Sequence, residues 1–201
     1  MEFAEVVARR RMVRRYRPDP VDPAAVDRIL DAARAGPSAG FSQGQSFVTV
    51  TDADDRAAIA RLCDEPDWVA RGFEPWLSRA PVHVVPCVRE ADYRDRYARP
   101  DKARSAGPGG WTVPWWWVDG GAALLLLLLA AVDEGLTAGL LAVGDPAPLR
   151  RLLAIPADVA PLGVVTIGHP APSGAGPPRP RPRRPREEVV HVGRWGAGAR
   201  P

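Results

Sequence analysis

The stretch Trp115–Glu134, WWWVDGGAALLLLLLAAVDE, constrains this chain more than any other part of it. Its inner run Ala122–Val132 carries no polar side chain, so a helix here is apolar around its whole circumference. Such a helix offers no face to water and must be covered on all sides, either in a core or between subunits. The run is well short of the ~20 apolar residues that span a bilayer, so burial in protein is the expectation, and no membrane partner. At 201 residues the chain fits one domain, 1–201, closed by a Pro/Arg-rich arm at about 171–201. A subunit of that size struggles to bury an all-apolar helix alone, which predicts a homodimer with this helix at its centre.

The remaining pattern is mixed. Phe3, Val6, Val7 and Arg10 are spaced as one face of a short helix that runs into RRRMVRRYR, residues 9–17. In PDPVDPAAVDRILDAARAG, Asp22 reads as an N-cap and Pro23 as the first helical residue. Val26, Ile29, Leu30 and Ala33 form its apolar stripe, and Gly36 with Pro37 stops it. PSAGFSQGQS follows as a loop, and Phe47–Thr51 as a strand. Asp52–Cys63 reads as a capped helix, Ala80–Val88 as a buried strand, and residues 89–114 as a long loop or lid. Beyond the apolar helix come Thr137–Val143 as strand or turn, Pro146–Leu153 as a short helix and Gly163–Gly168 as a strand. Ala171–Arg186 is Pro-rich and extended, and Glu187–Val192 has strand character that invites pairing with another subunit. The class is α+β, with a predominantly helical core.

Charge narrows the chemistry. Basic residues number 27 against 24 acidic ones, yet six arginines fall in residues 9–17 and five in 179–186. Such clusters suit a nucleic-acid arm, a membrane-surface patch or a pocket for one small anion. The near-balanced total and the lack of a recognised binding motif argue against nucleic acid. His83, His169 and His191 have no second ligand at useful spacing and there is no CxxC, so no metal site is expected. His83, inside a strand, reads as a satisfied core or interface residue. Neither GxGxxG nor GxxxxGK[ST] nor GxSxG occurs. Cys63 and Cys87 read as buried thiols in a reducing compartment, and MEFAEVVARR is no signal peptide, so a cytoplasmic protein is expected. Arg10, Arg11 and Arg14 are spaced to aim guanidiniums at one phosphate, with Ser38, Ser42 and Gln43 for sugar hydroxyls or a heterocycle edge. Solvated arginines and an ordinary turn are the alternative on these residues alone.

In order along the chain, these pieces resemble the FMN-dependent nitroreductase family. RRRMVRRYRPDPVDPAAVDRILDAARAGPSAGFSQGQSFVTVTD is similar to the family's opening R-R-S-V-R-x-F/Y, P-V, an A-A-bearing helix and A-P-S-A-x-N-x-Q-P-W. WWWVDGGAALLLLLLAAVDEGLTAGLLAVGDPAPLRRLLAIP resembles its long central helix, E-G-L-G-like turn and short following helix. PLGVVTIGHP resembles its late strand, and RPRPRRPREEVVH its closing R-R-K-P-x-E-E-V-V-H. The match spans most of residues 3–192 and is weakest over 64–114.

The resemblance implies a three-layer fold, a central and mostly antiparallel sheet flanked by helices, with the C-terminal arm exchanged in a homodimer. It implies FMN as cofactor and NAD(P)H as reductant. Arg10, Arg11, Met12 and Arg14 fall on the N-terminal flavin contacts, the first near the phosphate and the last near the ribityl chain or ring edge. Pro37, Ser38, Ala39 and Gln43 fall on the segment along the flavin, often from the partner subunit. Ala142 and Val143 fall where backbone amides lie near N5 and O4, and Arg181 and Arg183 on basic residues that return to the phosphate. No side chain is expected to be catalytic, because the chemistry is borne by the flavin.

Met12 stands where the family has Ser, Phe41 where it has Asn, and Gly44-Gln45 where it has Pro-Trp. Phe41, Tyr97 and Trp111 are the expected substrate contacts, as aromatic faces that suit planar, electron-poor acceptors. Trp115–Trp117 fit a core or interface equally well. The implied activity is NAD(P)H-driven ping-pong reduction of nitro, quinone or enone-type acceptors. The departures also suit a flavin-dependent dehydrogenase or oxidase of a biosynthetic intermediate, and a nucleic-acid-binding protein is the non-enzymatic rival.

Overall fold

The computed structural model of the protein describes residues 1–102, 111–172 and 182–196. The chain divides into two units, Met1–Ala171 and Pro172–Pro201.

The first unit is built on an antiparallel sheet of five strands: β1 Gln45–Val50, β2 Val82–Arg89, β3 Thr137–Leu141, β4 Val159–Pro161 and β5 Val164–Gly168. The order is β1-β2-β5-β3, with β4 on the far end of β2. β2 pairs Val84 with Val165 but Cys87 with Pro161, a one-residue slip that marks a bulge at Leu162–Gly163. Pro86 lies opposite that bulge, which is how a central strand tolerates a residue without an amide hydrogen.

Helices cover both faces. On one, Ile29 and Ala33 of α2 (Pro23–Arg34) and Leu127, Leu128 and Ala131 of α6 (Trp115–Asp133) pack on Val82, Val84, Val165 and Ile167. On the other, Ile59 of α3 (Ala53–Leu62) and Leu149 of α7 (Ala147–Leu152) pack on Val50, Val85, Cys87 and Val164. The fold is the expected three-layer α+β arrangement, but its core is shared between sheet and helices and is not predominantly helical. Caps form where polar residues precede the helices: the Asp22 carboxylate accepts from Ala24 N at 3.0 Å, and Asp52 from Asp54 N at 2.8 Å.

Two expectations change. Residues 89–114 are not one loop, because Glu90–Tyr97 forms helix α5. Its turns are tied by Glu90 to Arg94, while Tyr93 alone is buried, so polar pairs hide the helix from an apolar pattern. One chain covers α6 on part of its circumference only, leaving Trp117, Val118 and Leu125 exposed, Leu125 by 49%. In the second unit, Arg186–Val189 forms a single helical turn, α8, and not a strand, with Arg184 paired to Glu188 at 3.1 Å. Short helices α1 (Phe3–Arg9) and α4 (Glu65–Ala70) complete the described elements, the latter unforeseen.

His83 is fully buried on β2. Its Nε2 hydrogen donates to the Leu77 carbonyl at 2.8 Å, and Nδ1 has no partner among the described residues. Burial foremost, with Arg56 adding to it, pushes its pKa down to about 4 from 6.5. The unfolded chain therefore binds the proton more tightly than the folded one. Stability is fully present above about pH 6.5 and falls as the pH drops towards 4, with a slope of at most about 1.4 kcal/mol per pH unit. Urea unfolding of wild type and His83→Phe between pH 7 and pH 4 is expected to show this slope only in the wild type.

Candidate active site

The arginine segment is a strap over one sheet edge. α1 ends at Arg9, Arg10 is extended, and Met12 forms a parallel bridge to Ala138 of β3. Val13 N donates to the Ala138 carbonyl at 2.9 Å, and Arg17 N to that of His169 at 3.0 Å. The Tyr16 hydroxyl is buried 2.7 Å from that of Thr166, on the face opposite α6. The strap crosses β3 at Gly139, where a Cβ would stand 2.2 Å from the Val13 carbonyl oxygen. Only a glycine permits that crossing.

Ion pairs divide the cluster. Arg9 pairs with Glu5 at 2.7 Å, Arg15 with Glu74 at 2.9 Å and Arg17 with Asp19 at 2.7 Å. Arg10, Arg11 and Arg14 have no carboxylate partner among the described residues. Arg11 folds back onto the Ala8 carbonyl at 2.6 Å, and Arg10 is half-buried. Arg14 lies over the Trp76 ring, 5.5 Å from its centroid. Trp76 is held in turn by buried Glu65, whose carboxylate accepts from the amides of Trp76 and Leu77 at 2.6 Å and of Ser78 at 3.1 Å.

The loop Pro37–Gln43 is tied by its own hydroxyls. Ser38 Oγ accepts from Gln43 N at 3.0 Å, and Ser42 Oγ donates to the Ala39 carbonyl at 2.6 Å. Gly40, Phe41 and Gln43 have φ of 61°, 59° and 55°. Left-handed backbone costs a non-glycine residue about 1–2 kcal/mol, so Phe41 and Gln43 are strained positions. Phe41 is 74% exposed. With Ser42, Gln43, Asp95, Arg96 and Arg99 it borders an open cavity of about 670 Å³. Tyr97 and Trp111 pack edge to face, 4.8 Å between centroids, and Tyr93 and Trp116 extend that cluster.

One chain does not bring strap and loop together. The strap is on β3 and the loop leads into β1, at opposite ends of the sheet order, about 14 Å apart over three strand intervals. α6 separates them too, with Asp119 bonded to the loop and Asp133 to the Met1 amino group at 2.6 Å, some 21 Å apart along the helix. Ala142 and Val143 follow the end of β3, Ala142 exposed and Val143 packed on the second core cluster. Ala142 lies four residues past the one that Met12 bridges, about 13 Å along a strand, which suits an extended ligand. Arg183 belongs to the second unit, and Arg181 lies outside the described residues.

The family model described as "Nitroreductase family" matches residues 7–169. The chain belongs to the nitroreductase family. It is 33% identical over 187 residues to "FMN reductase [NAD(P)H]" of Bacillus subtilis, covering 90% of this chain and 69% of that one. It is 30% identical over 175 residues to "5,6-dimethylbenzimidazole synthase" of Rhodospirillum rubrum, covering 80% and 78%. Among solved structures, a hypothetical oxidoreductase from Bacillus subtilis superposes with a TM-score of 0.73 at 28% identity, covering 97% of this chain and 75% of that one.

Sequence reasoning missed several residues that shape this nitroreductase's candidate site. Asp119 is the one charge inside the apolar stretch 115–132, and a lone carboxylate there signals a buried, bonded group. Glu65 and Gly139 carry no such signal, since their roles depend on contacts distant in sequence. Gly139→Ala is expected to push the strap off β3, costing about 1–3 kcal/mol by overpacking. Thermal unfolding against an exposed control, Gly121→Ala, checks this.

Proposed function

We propose that the protein runs a ping-pong cycle between NAD(P)H and a nitro, quinone or enone-type acceptor. Membership of the nitroreductase family makes it an FMN-dependent oxidoreductase with NAD(P)H as electron source. When bound, FMN would supply the two-electron redox chemistry that links nicotinamide to acceptor. The observation that carries the reading is the division of the arginine cluster: Arg9, Arg15 and Arg17 are neutralised by acids, whereas Arg10, Arg11 and Arg14 are not. Guanidiniums on a strap fixed by a β-bridge fit a phosphate, the one dianionic handle of FMN. Arg10 and Arg14 would hold it, with Trp76 backing Arg14. Pro37, Ser38, Ala39 and Gln43 would line the ring or ribityl chain, and the amides of Ala142 and Val143 its polar edge. Phe41, Tyr97 and Trp111 would flank the acceptor.

Strap and loop lie at opposite ends of the sheet order, and a second copy would bring another strap to this loop. The exposed apolar face of α6 supports one: a two-fold axis through it sets two α6 helices antiparallel. The strap end of one then lies beside the loop end of the other. The two free cysteines suit a cytoplasmic setting. A second reading, favoured by Phe41 and Gly44-Gln45 in the flavin-side loop and by likeness to the benzimidazole synthase, keeps FMN but makes the reaction oxidation of a biosynthetic intermediate.

Purified protein is expected to be yellow and to release FMN on denaturation. In anaerobic stopped-flow, NADH or NADPH should bleach the flavin and a quinone restore it. Failure of both reductants would overturn the NAD(P)H reading and leave the second standing. Arg10→Ala should weaken FMN about 10- to 100-fold, with little effect on riboflavin, which lacks the phosphate. Arg9→Ala and Arg17→Ala should leave both affinities nearly unchanged.

Leu125→Arg, which places a charge on the exposed face of α6, should give a monomer by light scattering that has lost its flavin. A flavin-bound monomer would contradict the shared site.

A further inference from the structure

We propose that Asp119 is a positioning residue that clamps the loop Pro37–Gln43 in its flavin-facing shape, acting through the Ala39 amide; this rests on the function proposed above. Asp119 lies on α6, is only 6% exposed, and its Oδ2 accepts from Ala39 N at 2.8 Å. No cation pairs with it among the described residues. A carboxylate taken out of water with so little compensation is costly, and an apolar residue would suit this helix better. What the charge provides is a strong, directional bond to one backbone amide.

The loop needs such a bond. Gly40, Phe41 and Gln43 all stand in the left-handed region, and strained backbone persists only where its surroundings over-determine it. Here two helices grip adjacent residues by opposite backbone groups. α6 takes the Ala39 N–H through Asp119, and α5 takes the Gly40 carbonyl through Arg96 Nε at 2.8 Å. Arg96 is itself fixed by Asp101, with contacts of 3.0 and 2.7 Å. The aromatic rings of α5 set the height: a Cβ on Gly40 would meet Tyr97 at 2.7 Å, and one on Gly44 would meet Tyr93 at 2.5 Å. The buried Tyr93 hydroxyl lies close to Asp119 without forming a hydrogen bond of ordinary geometry. Burial first, and then the Asp119 carboxylate, push its pKa well above the usual phenol range, so it stays a neutral neighbour of that charge.

The clamp acts on the ring side of the flavin, and this separates it from the phosphate-binding arginines. Equilibrium dialysis of the full-length holoprotein against FMN and against riboflavin tests it. Asp119→Ala should raise both dissociation constants by a similar factor, about 10-fold or more, the loss of a charge-assisted hydrogen bond. It should also raise KM for the acceptor more than it lowers kcat. Asp119→Asn, whose amide oxygen can still accept from Ala39 N, should recover most of the affinity. Arg10→Ala, by contrast, discriminates between the two ligands. If Asp119→Ala yields no folded protein, Ala39→Pro deletes the donor from the other side. Ser38 already has φ −141° and ψ 137°, the extended conformation that precedes proline. A flavin-binding wild type whose Asp119→Ala variant, or in its place Ala39→Pro, binds both flavins within twofold of normal overturns the clamp alone. A wild type that holds no flavin overturns the function and the clamp together.

Discussion

Everything in the first unit is arranged around α6. A 19-residue helix this apolar must bury most of its length, and here the sheet covers one side of it. It lies across the sheet and buries Ala123, Leu127, Leu128 and Ala131, each fully buried leucine contributing roughly 2 kcal/mol. Other parts of the fold take their positions from it. α2 packs along one flank, α1 is drawn to its C-terminal end by the Met1–Asp133 contact, and the loop before β1 is tied to its N-terminal half through Asp119. Gly120 allows the helix close to the sheet, since a Cβ there would meet Val88 at 2.5 Å. The helix thus ties the chain's start at one end and the loop Pro37–Gln43 at the other. Its uncovered face invites a second copy.

Charge is organised with the same economy. A cluster of six arginines would repel itself unless acids were supplied for some members. The chain supplies Glu5, Glu74 and Asp19, leaving Arg10, Arg11 and Arg14, in the middle of the cluster, without an acid among the described residues. The exposed pairs add little to stability, of the order of 0–1 kcal/mol each. Their effect is to hold the strap in register and to keep the paired arginines from competing for the ligand.

The fold was largely legible because its signals are local. The Asp22 and Asp52 caps, the stop at Gly36-Pro37 and the apolar runs of β2 and β5 can each be read from a few neighbouring residues. α5 was not, since its stability comes from Glu90–Arg94 pairing and from aromatic contacts with Trp111 and Trp116, distant in sequence. Nor was α8, whose Val-Val pair suggested a strand while Pro185 and the Arg184–Glu188 pair favour one helical turn. The exposed face of α6 was invisible as such: periodicity shows that a helix is apolar all round, but not which part its own chain covers. In the candidate site, the arginines and the Pro37–Gln43 loop stood out by composition. The groups that hold them, Gly139, Trp76, Glu65 and Asp119, are single residues defined by what lies opposite.

That asymmetry bears on how such a site changes its chemistry. The strap is a set of charges on a bridged segment, tolerant of exchange so long as guanidiniums remain. The loop is a strained backbone shape maintained from behind, by a carboxylate on α6, a guanidinium on α5 and tyrosine rings beneath two glycines. A side chain at the tip, such as Phe41, can be replaced without disturbing that support, because it points away at 74% exposure. Replacing the support moves the whole tip. In the function proposed above, acceptor preference would therefore diverge at the exposed position while the buried residues keep the shape of the loop. A phenylalanine in place of the family's asparagine changes that exposed tip at the cost of left-handed strain that asparagine bears more easily, so the support from behind matters more with phenylalanine there.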